Sequence, residues 1–154
     1  MKKVTAFPKI KPHKRKPQKK KLMSMKRLET VTWTIFSQYI RLRDSIKCGS
    51  IGHDWVECYT CGKDILVKEA HASHFIPRGK HSVRFNEMNV NSCCVYCNKY
   101  LHGNLGKYAI HLEEEYGKEA LSQLIMLEQV IHKFTREELE SIRQNCAFKI
   151  SKML

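Results

Sequence analysis

Residues 58–98 read CYTCGKDILVKEAHASHFIPRGKHSVRFNEMNVNSCCVYCN, with one Cys-x-x-Cys pair at each end. The first pair is Cys58 and Cys61, and the second pair is Cys94 and Cys97. Two intervening residues let both thiolates of a pair reach one ion from a tight turn, and two such pairs in one chain strongly indicate zinc. Four protein thiolates leave no open position on the metal. We therefore predict a zinc-stapled fold whose zinc ion is structural and not catalytic.

Three further cysteines, Cys48, Cys93 and Cys146, bring the total to seven, and an odd total argues against a closed disulfide framework. We interpret these three as small buried residues or free thiols. Cys93 directly precedes Cys94, and the two-residue spacing to Cys97 favours Cys94 as the ligand. Reduced thiolates of this kind indicate a cytosolic compartment.

The positive charge of the chain is concentrated at its amino-terminal end. The whole sequence has 28 Lys and Arg against 15 Asp and Glu, a formal net charge of +13. Residues 1–28 hold 12 of these basic residues, no acidic residue and three of the four prolines, whereas the remainder is almost neutral. A segment with so few apolar residues cannot offset the entropy cost of becoming ordered. We therefore predict a disordered basic arm over residues 1–28.

A basic arm of this kind favours a polyanionic partner, most often nucleic acid. Lys and Arg side chains that neutralise DNA phosphates release counterions whatever the base sequence. The arm residues that we expect to contact DNA are Lys14, Arg15, Lys16, Lys19, Lys20 and Lys21. A solubilising tail or a nuclear address is the alternative. The sequence has no apolar run of a spanning helix or a secretory signal, so we expect no membrane partner.

The rest of the sequence predicts an α+β core over residues 29–117 and a helical extension over 118–154. In the core we expect a helix over 30–47, short strands over 56–59, 65–69 and 72–76 in one sheet, and a loop over 77–88. A helix from about 97 to 116 completes the core. The extension should contain a helix over 120–134 and a last helix that follows a capping box at Thr135 and Glu138. An apolar stripe in the extension could form an intramolecular helix pair or a homodimer interface. It consists of Ala120, Leu124, Leu127, Ile131 and Phe134.

Five polar residues between and after the cysteine pairs are candidates for chemistry: His71, His74, Asn89, Asn98 and His102. Asn98 and His102 are four residues apart, and on a helix this spacing places both side chains on one face, close enough to share a metal ion. A neutral imidazole is suited to accept a proton from water. The structural alternatives are half-buried, hydrogen-bonded histidines and an asparagine that caps a helix.

This order of histidine, asparagine and metal-bearing helix between zinc knuckles resembles the HNH, or ββα-metal, nucleases. The resemblance implies that His74 is the general base and that Asn89 orients its ring through the side-chain carbonyl. It also implies a catalytic Mg²⁺ or Mn²⁺ held by Asn98 and His102, with either His71 or an exposed backbone oxygen as a third ligand. The basic residues that would hold the scissile strand are Arg78, Lys80 and Arg84.

Further motifs resemble the phage lambda NinG (Rap) recombination family over roughly residues 30–117. They are the segments 37–44, 58–63, 73–79, 84–87, 89–90 and 94–98, followed by His102-Gly103-Asn104 and Tyr108. The cysteine spacing followed by Asn98 is also similar to phage endonuclease VII. The resemblance implies a zinc-stapled ββα-metal core with flanking helices. It further implies a structure-selective DNA endonuclease that acts on Holliday junctions and D-loops in the host bacterial cytoplasm, and junction resolvases commonly act as homodimers.

Two positions depart from these families. Ser73 stands where we expect Gly, and where endonuclease VII has an acidic metal ligand, and Cys93 replaces an expected Gln. Serine is a weak ligand for a hard cation, so the motif does not identify the complete set of ligands of the catalytic metal. Two other functions also stay open. One is a general or site-specific HNH nicking enzyme, and the other is a non-catalytic zinc-ribbon protein that binds nucleic acid.

Overall fold

The computed structural model describes residues 22–154. Its helices are α1 (Met25–Lys47), α2 (Leu105–Tyr116), α3 (Lys118–Glu128) and α4 (Arg136–Met153). Its strands are β1 (Trp55–Glu57), β2 (Asp64–Leu66), β3 (His71–His74) and β4 (Val90–Cys93), with a 3₁₀ turn at His81–Val83 and a π-helical turn at Tyr96–Tyr100. The fold class is α+β, as predicted. Within the described range, no helix is long and apolar enough to cross a lipid bilayer.

Helix α1 begins at Met25, ahead of residue 30 where the apolar pattern predicts a start. The Ser24 hydroxyl accepts a hydrogen bond from the Arg27 N–H at 3.4 Å, as an N-cap does. Leu28 is 2% exposed, so the first turns already have a buried apolar side chain. Residues 25–28 of the expected arm are therefore helical. The arm residues expected to contact DNA, from Lys14 to Lys21, lie outside the described range.

Two apolar clusters form the core. The first joins α1, β4 and α4 through Phe36, Tyr39, Ile40, Val90 and Cys146. The second surrounds the cysteine pairs and includes Ile76, Val83, Tyr108, Leu112 and Leu124, together with Cys93. Because β4 contributes Val90 to one cluster and Cys93 to the other, this strand connects the two halves of the core.

The strands form two separate antiparallel pairs. β1 pairs with β2, whereas β3 pairs with β4, with His71 opposite Cys93 and His74 opposite Val90. The prediction that residues 72–76 extend the first sheet is therefore wrong. The sequence pattern conceals β4, because all four of its residues are buried and it lacks the alternation of a half-exposed strand.

Side chains of α1 occupy the edge of β4 that faces away from β3. Arg43 donates from Nη2 to the Val90 carbonyl at 2.9 Å and to Asn91 Oδ1 at 2.7 Å. Asp44 Oδ2 accepts a hydrogen bond from the Ser92 N–H at 2.7 Å. Buried backbone groups require partners, and α1 supplies here what a third strand would otherwise provide. The pairing of β3 with β4 thus depends on a helix that is distant in sequence.

The helix predicted from about residue 97 to residue 116 is interrupted. A left-handed segment separates the π-helical turn from α2, and it consists of His102 (φ +49°), Gly103 (φ +92°) and Asn104 (φ +50°). Three consecutive residues of this hand cannot continue a right-handed helix. Asn98 and His102 therefore do not share a helical face, and this prediction is wrong.

The carboxy-terminal helices follow the prediction in part. The capping box is confirmed, because Thr135 Oγ1 accepts from the Glu138 N–H at 3.2 Å and Glu138 Oε2 accepts from the Thr135 N–H at 2.7 Å. The preceding helix, however, ends at Glu128 and not near residue 134. Of the predicted apolar stripe, Leu124 is 1% exposed and Ile131 is 93% exposed. The stripe is therefore divided between the core and the surface.

Candidate functional site

The four cysteines of the two predicted pairs meet where β1 and β4 end. The sulfur atoms of Cys58, Cys61, Cys94 and Cys97 all lie within 4.8 Å of one another, and the sulfurs of Cys61 and Cys94 are 4.0 Å apart. A tetrahedral zinc ion with Zn–S bonds of about 2.3 Å has its sulfurs about 3.8 Å apart. The four sulfurs are therefore placed so that they could hold one zinc ion.

Hydrogen bonds favour the thiolate form of Cys58, whereas burial raises the pKa of Cys61 and of Cys94. The Cys94 N–H donates to Cys58 Sγ at 3.2 Å, and the Cys97 N–H donates to Cys94 Sγ at 3.3 Å. A hydrogen bond from the buried Cys93 thiol, followed by the amide donors, lowers the pKa of Cys58 to about 3. Cys93 is not one of the four clustered sulfurs. It supports Cys58 from behind the site.

His74, the last residue of β3, is held by two contacts. Its Nε2 lies 3.0 Å from the carbonyl oxygen of Arg84, and its ring stacks on the indole of Trp33 with centroids 4.9 Å apart. A carbonyl oxygen only accepts hydrogen bonds, so Nε2 carries the proton and Nδ1 keeps a free lone pair. Burial, together with the positive charges of Arg78 and Arg84, lowers the pKa of His74 to about 4. At neutral pH the imidazole is therefore uncharged and able to accept a proton at Nδ1.

Asn89 does not orient His74 through its side-chain carbonyl, and this prediction is wrong. Asn89 Oδ1 accepts from the Ile76 N–H at 2.7 Å, while Nδ2 donates to the carbonyl oxygens of Ile76 and Val83 at 2.9 and 3.0 Å. The fully buried amide thus fastens both ends of the loop that follows β3. Arg84 directly follows Val83 in the chain. Asn89 therefore acts on His74 only indirectly, by positioning the loop whose Arg84 carbonyl contacts the ring.

A second polar group forms where β3 meets the π-helical turn. Asn98 Nδ2 donates to His71 Nδ1 at 2.8 Å, and the Ser73 hydroxyl donates to Asn98 Oδ1 at 2.8 Å. The structure therefore brings together the predicted residues His71 and Asn98, and it adds Ser73, the position that departs from the families. Partial burial, with the nearby charges of Lys99 and Arg41, lowers the pKa of His71.

Ser73 and His74 are consecutive residues of β3, so their side chains point to opposite faces of the strand and the two groups meet at the backbone of this strand end. Consecutive Cα atoms are about 3.8 Å apart, so the Asn98 amide, which contacts Ser73 at 2.8 Å, lies beside the strand end that carries His74. His102 is exposed and makes no hydrogen bond to any of residues 22–154, so it stands apart from the polar group formed by His71, Ser73 and Asn98.

The three basic residues predicted to hold a DNA strand differ in their availability. Arg84 is ion-paired with Glu29 at 3.0 Å and its side chain is only 14% exposed. Lys80 is ion-paired with Glu128 at 3.2 Å. Arg78 is exposed, and it has no ion-pair partner among the described residues. Of the three, Arg78 is the one free to meet a phosphate without first breaking a contact.

Sequence reasoning missed four residues around the site: Glu29, Trp33, Arg41 and Lys99. Trp33 has the spacing of a core residue of α1, and no local pattern indicates that it covers a histidine distant along the chain. Glu29 and Arg41 belong to the same helix and reach the site only because α1 packs against β3 and β4. Of the four, Lys99 is the residue that the sequence could have indicated, because it directly follows Asn98, a predicted metal ligand.

Comparison with known proteins identifies a family that matches most of the chain. The family model described as Bacteriophage Lambda NinG protein matches residues 2–153. Protein ninG of Escherichia phage lambda is 32% identical over 87 residues, which is 56% of this chain and 42% of the lambda protein. Protein ninG of Salmonella phage P22 is 31% identical over 87 residues, which is again 56% of this chain and 42% of the phage P22 protein. The chain thus spans less than half the length of these curated relatives. No solved structure matches the chain.

Proposed function

This chain belongs to the NinG family of bacteriophage proteins, and from that premise we propose that it is a structure-selective DNA endonuclease. Its substrates would be branched recombination intermediates, Holliday junctions and D-loops, in the cytoplasm of the host bacterium. The core would be an HNH-like, ββα-metal nuclease domain stapled by zinc. The observation that carries the proposal is the neutral His74 with a free Nδ1 at the end of β3, where its chain neighbour Ser73 contacts the Asn98 amide that binds His71.

His74 is suited to the role of general base. Its Nε2–H is committed to the Arg84 carbonyl, so the ring has a fixed orientation and one defined acceptor atom. In the proposed reaction, Nδ1 accepts a proton from a water molecule while the water oxygen attacks the phosphorus. The bond from phosphorus to the leaving oxygen then breaks, and that oxygen takes a proton from solvent. A positioned general base contributes about 10²- to 10⁴-fold to such a rate.

The residues that could hold a divalent cation are Asn98 and His71. Asn98 Oδ1 already faces the Ser73 hydroxyl, and His71 Nδ1 lies on the same amide, so rotation of the Asn98 side chain would present two neutral donors to one ion. When bound, Mg²⁺ or Mn²⁺ would supply positive charge to the developing phosphorane and the leaving oxygen. The predicted ligand His102 is left out of this proposal because it lies in an exposed left-handed turn.

The positive residues near the site support a polyanionic substrate. The charge of Arg78 lowers the pKa of His74, and the charges of Lys99 and Arg41 lower the pKa of His71. Positive charge therefore surrounds both histidines. Helix α1 begins at Met25, and Trp33 lies about 12 Å further along the helix axis. The chain therefore enters α1 about 12 Å from the Trp33 ring that covers His74. DNA held by the arm would be close to the proposed base.

A cleavage assay on matched substrates tests this function. A synthetic four-way junction and a linear duplex of the same sequence are each incubated with the protein and Mg²⁺ or Mn²⁺. The proposal expects incision of the junction at a much higher rate than of the duplex. Equal incision of both would instead indicate a general nicking enzyme. Absence of incision with retained binding would indicate a non-catalytic zinc-ribbon protein, and either result would overturn the proposal.

A further inference from the structure

Two exposed tyrosines lie on the π-helical turn that carries Asn98. Tyr96 is 61% exposed and Tyr100 is 70% exposed, and their rings stack with centroids 6.0 Å apart and an interplanar angle of 30°. Tyrosine is intermediate in how often it is buried, so two neighbouring tyrosines at this exposure leave a large aromatic area in solvent. Two adjacent rings left in solvent therefore make a flat apolar surface that is available to a partner.

This surface is rigidly attached to the folded core. Cys97 is buried among the four clustered sulfurs, and the Asn98 amide is fixed by Ser73 and His71. The Leu101 N–H donates to the Tyr96 carbonyl at 3.1 Å, which closes the turn between the two rings. The tyrosine pair is thus held by the same turn that positions the proposed metal ligand.

The charge around the tyrosine pair matches a polyanion. Residues 88–112 contain no Asp and no Glu, whereas Lys99 lies between the two tyrosines in sequence and Lys107 follows on α2. Lys99 is exposed, and its charge reaches His71. A segment that combines exposed aromatic rings with lysines and has no carboxylate of its own has the composition with which proteins bind single-stranded nucleic acid.

The tyrosine pair also lies within reach of the proposed cleavage site. Tyr96 and Tyr100 are each two residues from Asn98, so their Cα atoms are at most about 7 Å from that of Asn98. A nucleotide bound with its phosphate at the Asn98 and His71 group would have its own base, or that of the next nucleotide, close to these rings.

We propose that Tyr96 and Tyr100 form a stacking platform for an unpaired DNA base next to the scissile phosphate. In an intact duplex both faces of each base are covered by neighbouring bases, whereas a base at a branch point has an open face. This inference rests on the proposed function and deepens it, because it names the structural feature by which the protein distinguishes branched DNA from linear duplex. Stacking on one aromatic side chain corresponds to roughly 5- to 150-fold in affinity per base.

Binding measurements with alanine and phenylalanine variants test the platform. The probes are a duplex with one unpaired 2-aminopurine and the same duplex fully paired. We expect Tyr96→Ala and Tyr100→Ala to weaken binding of the unpaired probe by roughly 5-fold or more and to leave binding of the paired probe unchanged. Tyr96→Phe and Tyr100→Phe retain the ring and should bind like the native protein. Phe148→Ala removes a 64% exposed aromatic ring from α4 and serves as the matched control.

The native protein provides a second readout that does not depend on any variant. Stacking on a tyrosine quenches 2-aminopurine, so the fluorescence of the unpaired probe should fall on binding, and Tyr96→Ala with Tyr100→Ala should abolish the fall. Unchanged affinity in the alanine variants, or equal weakening for both probes, would overturn the inference. Both measurements report binding without cleavage. Quenching in a protein that never cuts would therefore contradict the proposed nuclease activity while the stacking platform remained supported.

Discussion

The Nε2 atom of His74 lies 3.0 Å from the carbonyl oxygen of Arg84, and this contact determines which nitrogen of the ring can act as a base. The same ring is covered by Trp33, which removes it from solvent on one side. Together these contacts give a neutral imidazole with one free acceptor atom. The chemistry that we propose depends on this protonation state.

The pH dependence of cleavage should reflect the lowered pKa of His74. A general base acts in its deprotonated form, and burial holds the pKa of His74 at about 4. We therefore expect the apparent kcat/KM to be constant from pH 8 to about pH 5 and to fall tenfold per unit below pH 4. Trp33→Ala would hydrate the ring and move the acidic limb up towards the ordinary histidine value of about 6.5.

The matched control for this shift is Trp33→Phe, which keeps an aromatic ring over His74 and should leave the acidic limb near its native position. An acidic limb near pH 6.5 in the native protein, or one that Trp33→Ala does not move, would show that His74 is not the titrating base.

Loss of one cysteine from the four-sulfur cluster should unfold the core. In small zinc sites the free energy of metal binding is also folding free energy, and the cluster joins β1 to the turn after β4. We expect Cys61→Ala to lose bound zinc, measured by elemental analysis, and to lose the cooperative unfolding transition seen by circular dichroism. Cys48→Ala lies outside the cluster and should keep both. A cooperative, zinc-free Cys61→Ala protein would contradict the structural role of the metal.

The proposed cation ligands predict a metal preference. Asn98 and His71 offer an amide oxygen and an imidazole nitrogen with no carboxylate. Imidazole binds Mn²⁺ more readily than Mg²⁺, whereas carboxylates suit the hard Mg²⁺ ion. We expect faster junction cleavage in Mn²⁺ than in Mg²⁺ at equal concentration. Ser73→Asp, which places a carboxylate beside the Asn98 amide, should reduce that ratio.

Ser73→Asn is the uncharged control for this substitution and should leave the ratio of the Mn²⁺ rate to the Mg²⁺ rate as in the native protein. If the native protein cleaves equally fast in both metals and Ser73→Asp has no effect on the ratio, the cation is not held at this position.

Removal of the basic arm should weaken binding without removing catalysis. Because Ser24 caps α1 and Leu28 is buried, the truncation should end at residue 21 and leave the helix intact. We expect weaker junction binding and a salt dependence that is flatter by about 0.9 in log–log slope for each lost duplex phosphate contact. At low salt the truncated protein should still cut a short junction.

A full-length chain in which the basic residues from 14 to 21 are replaced by Gln separates charge from length, and it should behave like the truncation. If the truncated protein binds the junction at low salt but cannot cut it, the arm is part of the active site and this division of roles is wrong.

The parts of the site that depend on local spacing could be predicted from the sequence. The two Cys-x-x-Cys pairs indicate one four-sulfur cluster without any knowledge of the rest of the fold. Outside the site, the capping box at Thr135 is equally local, because it lies within four residues. The position of Asn98 beside the cluster also follows, because Asn98 directly follows the last cysteine, whereas its contact with His71 depends on the pairing of β3 with β4.

The parts that failed depend on contacts between distant segments. Strand β4 has no alternating pattern because both of its faces are buried, with Val90 in the cluster of α1 and α4 and Cys93 in the cluster around the cysteine pairs. The break at His102 comes from left-handed residues that a helical spacing rule cannot anticipate. The role predicted for Asn89 fails because its amide hydrogen-bonds to the backbone of Ile76, across the loop that follows β3, and not to the His74 ring.

The most direct test of the proposed mechanism is single-turnover cleavage of a four-way junction by the native protein and by His74→Ala, with junction affinity and bound zinc measured on the same samples. The account predicts that the variant keeps its zinc and its affinity and cuts about 10²- to 10⁴-fold more slowly. His53→Ala, at another half-buried histidine, should cut at the native rate. A His74→Ala protein that cuts the junction as fast as the native protein would contradict the assignment of His74 as the general base.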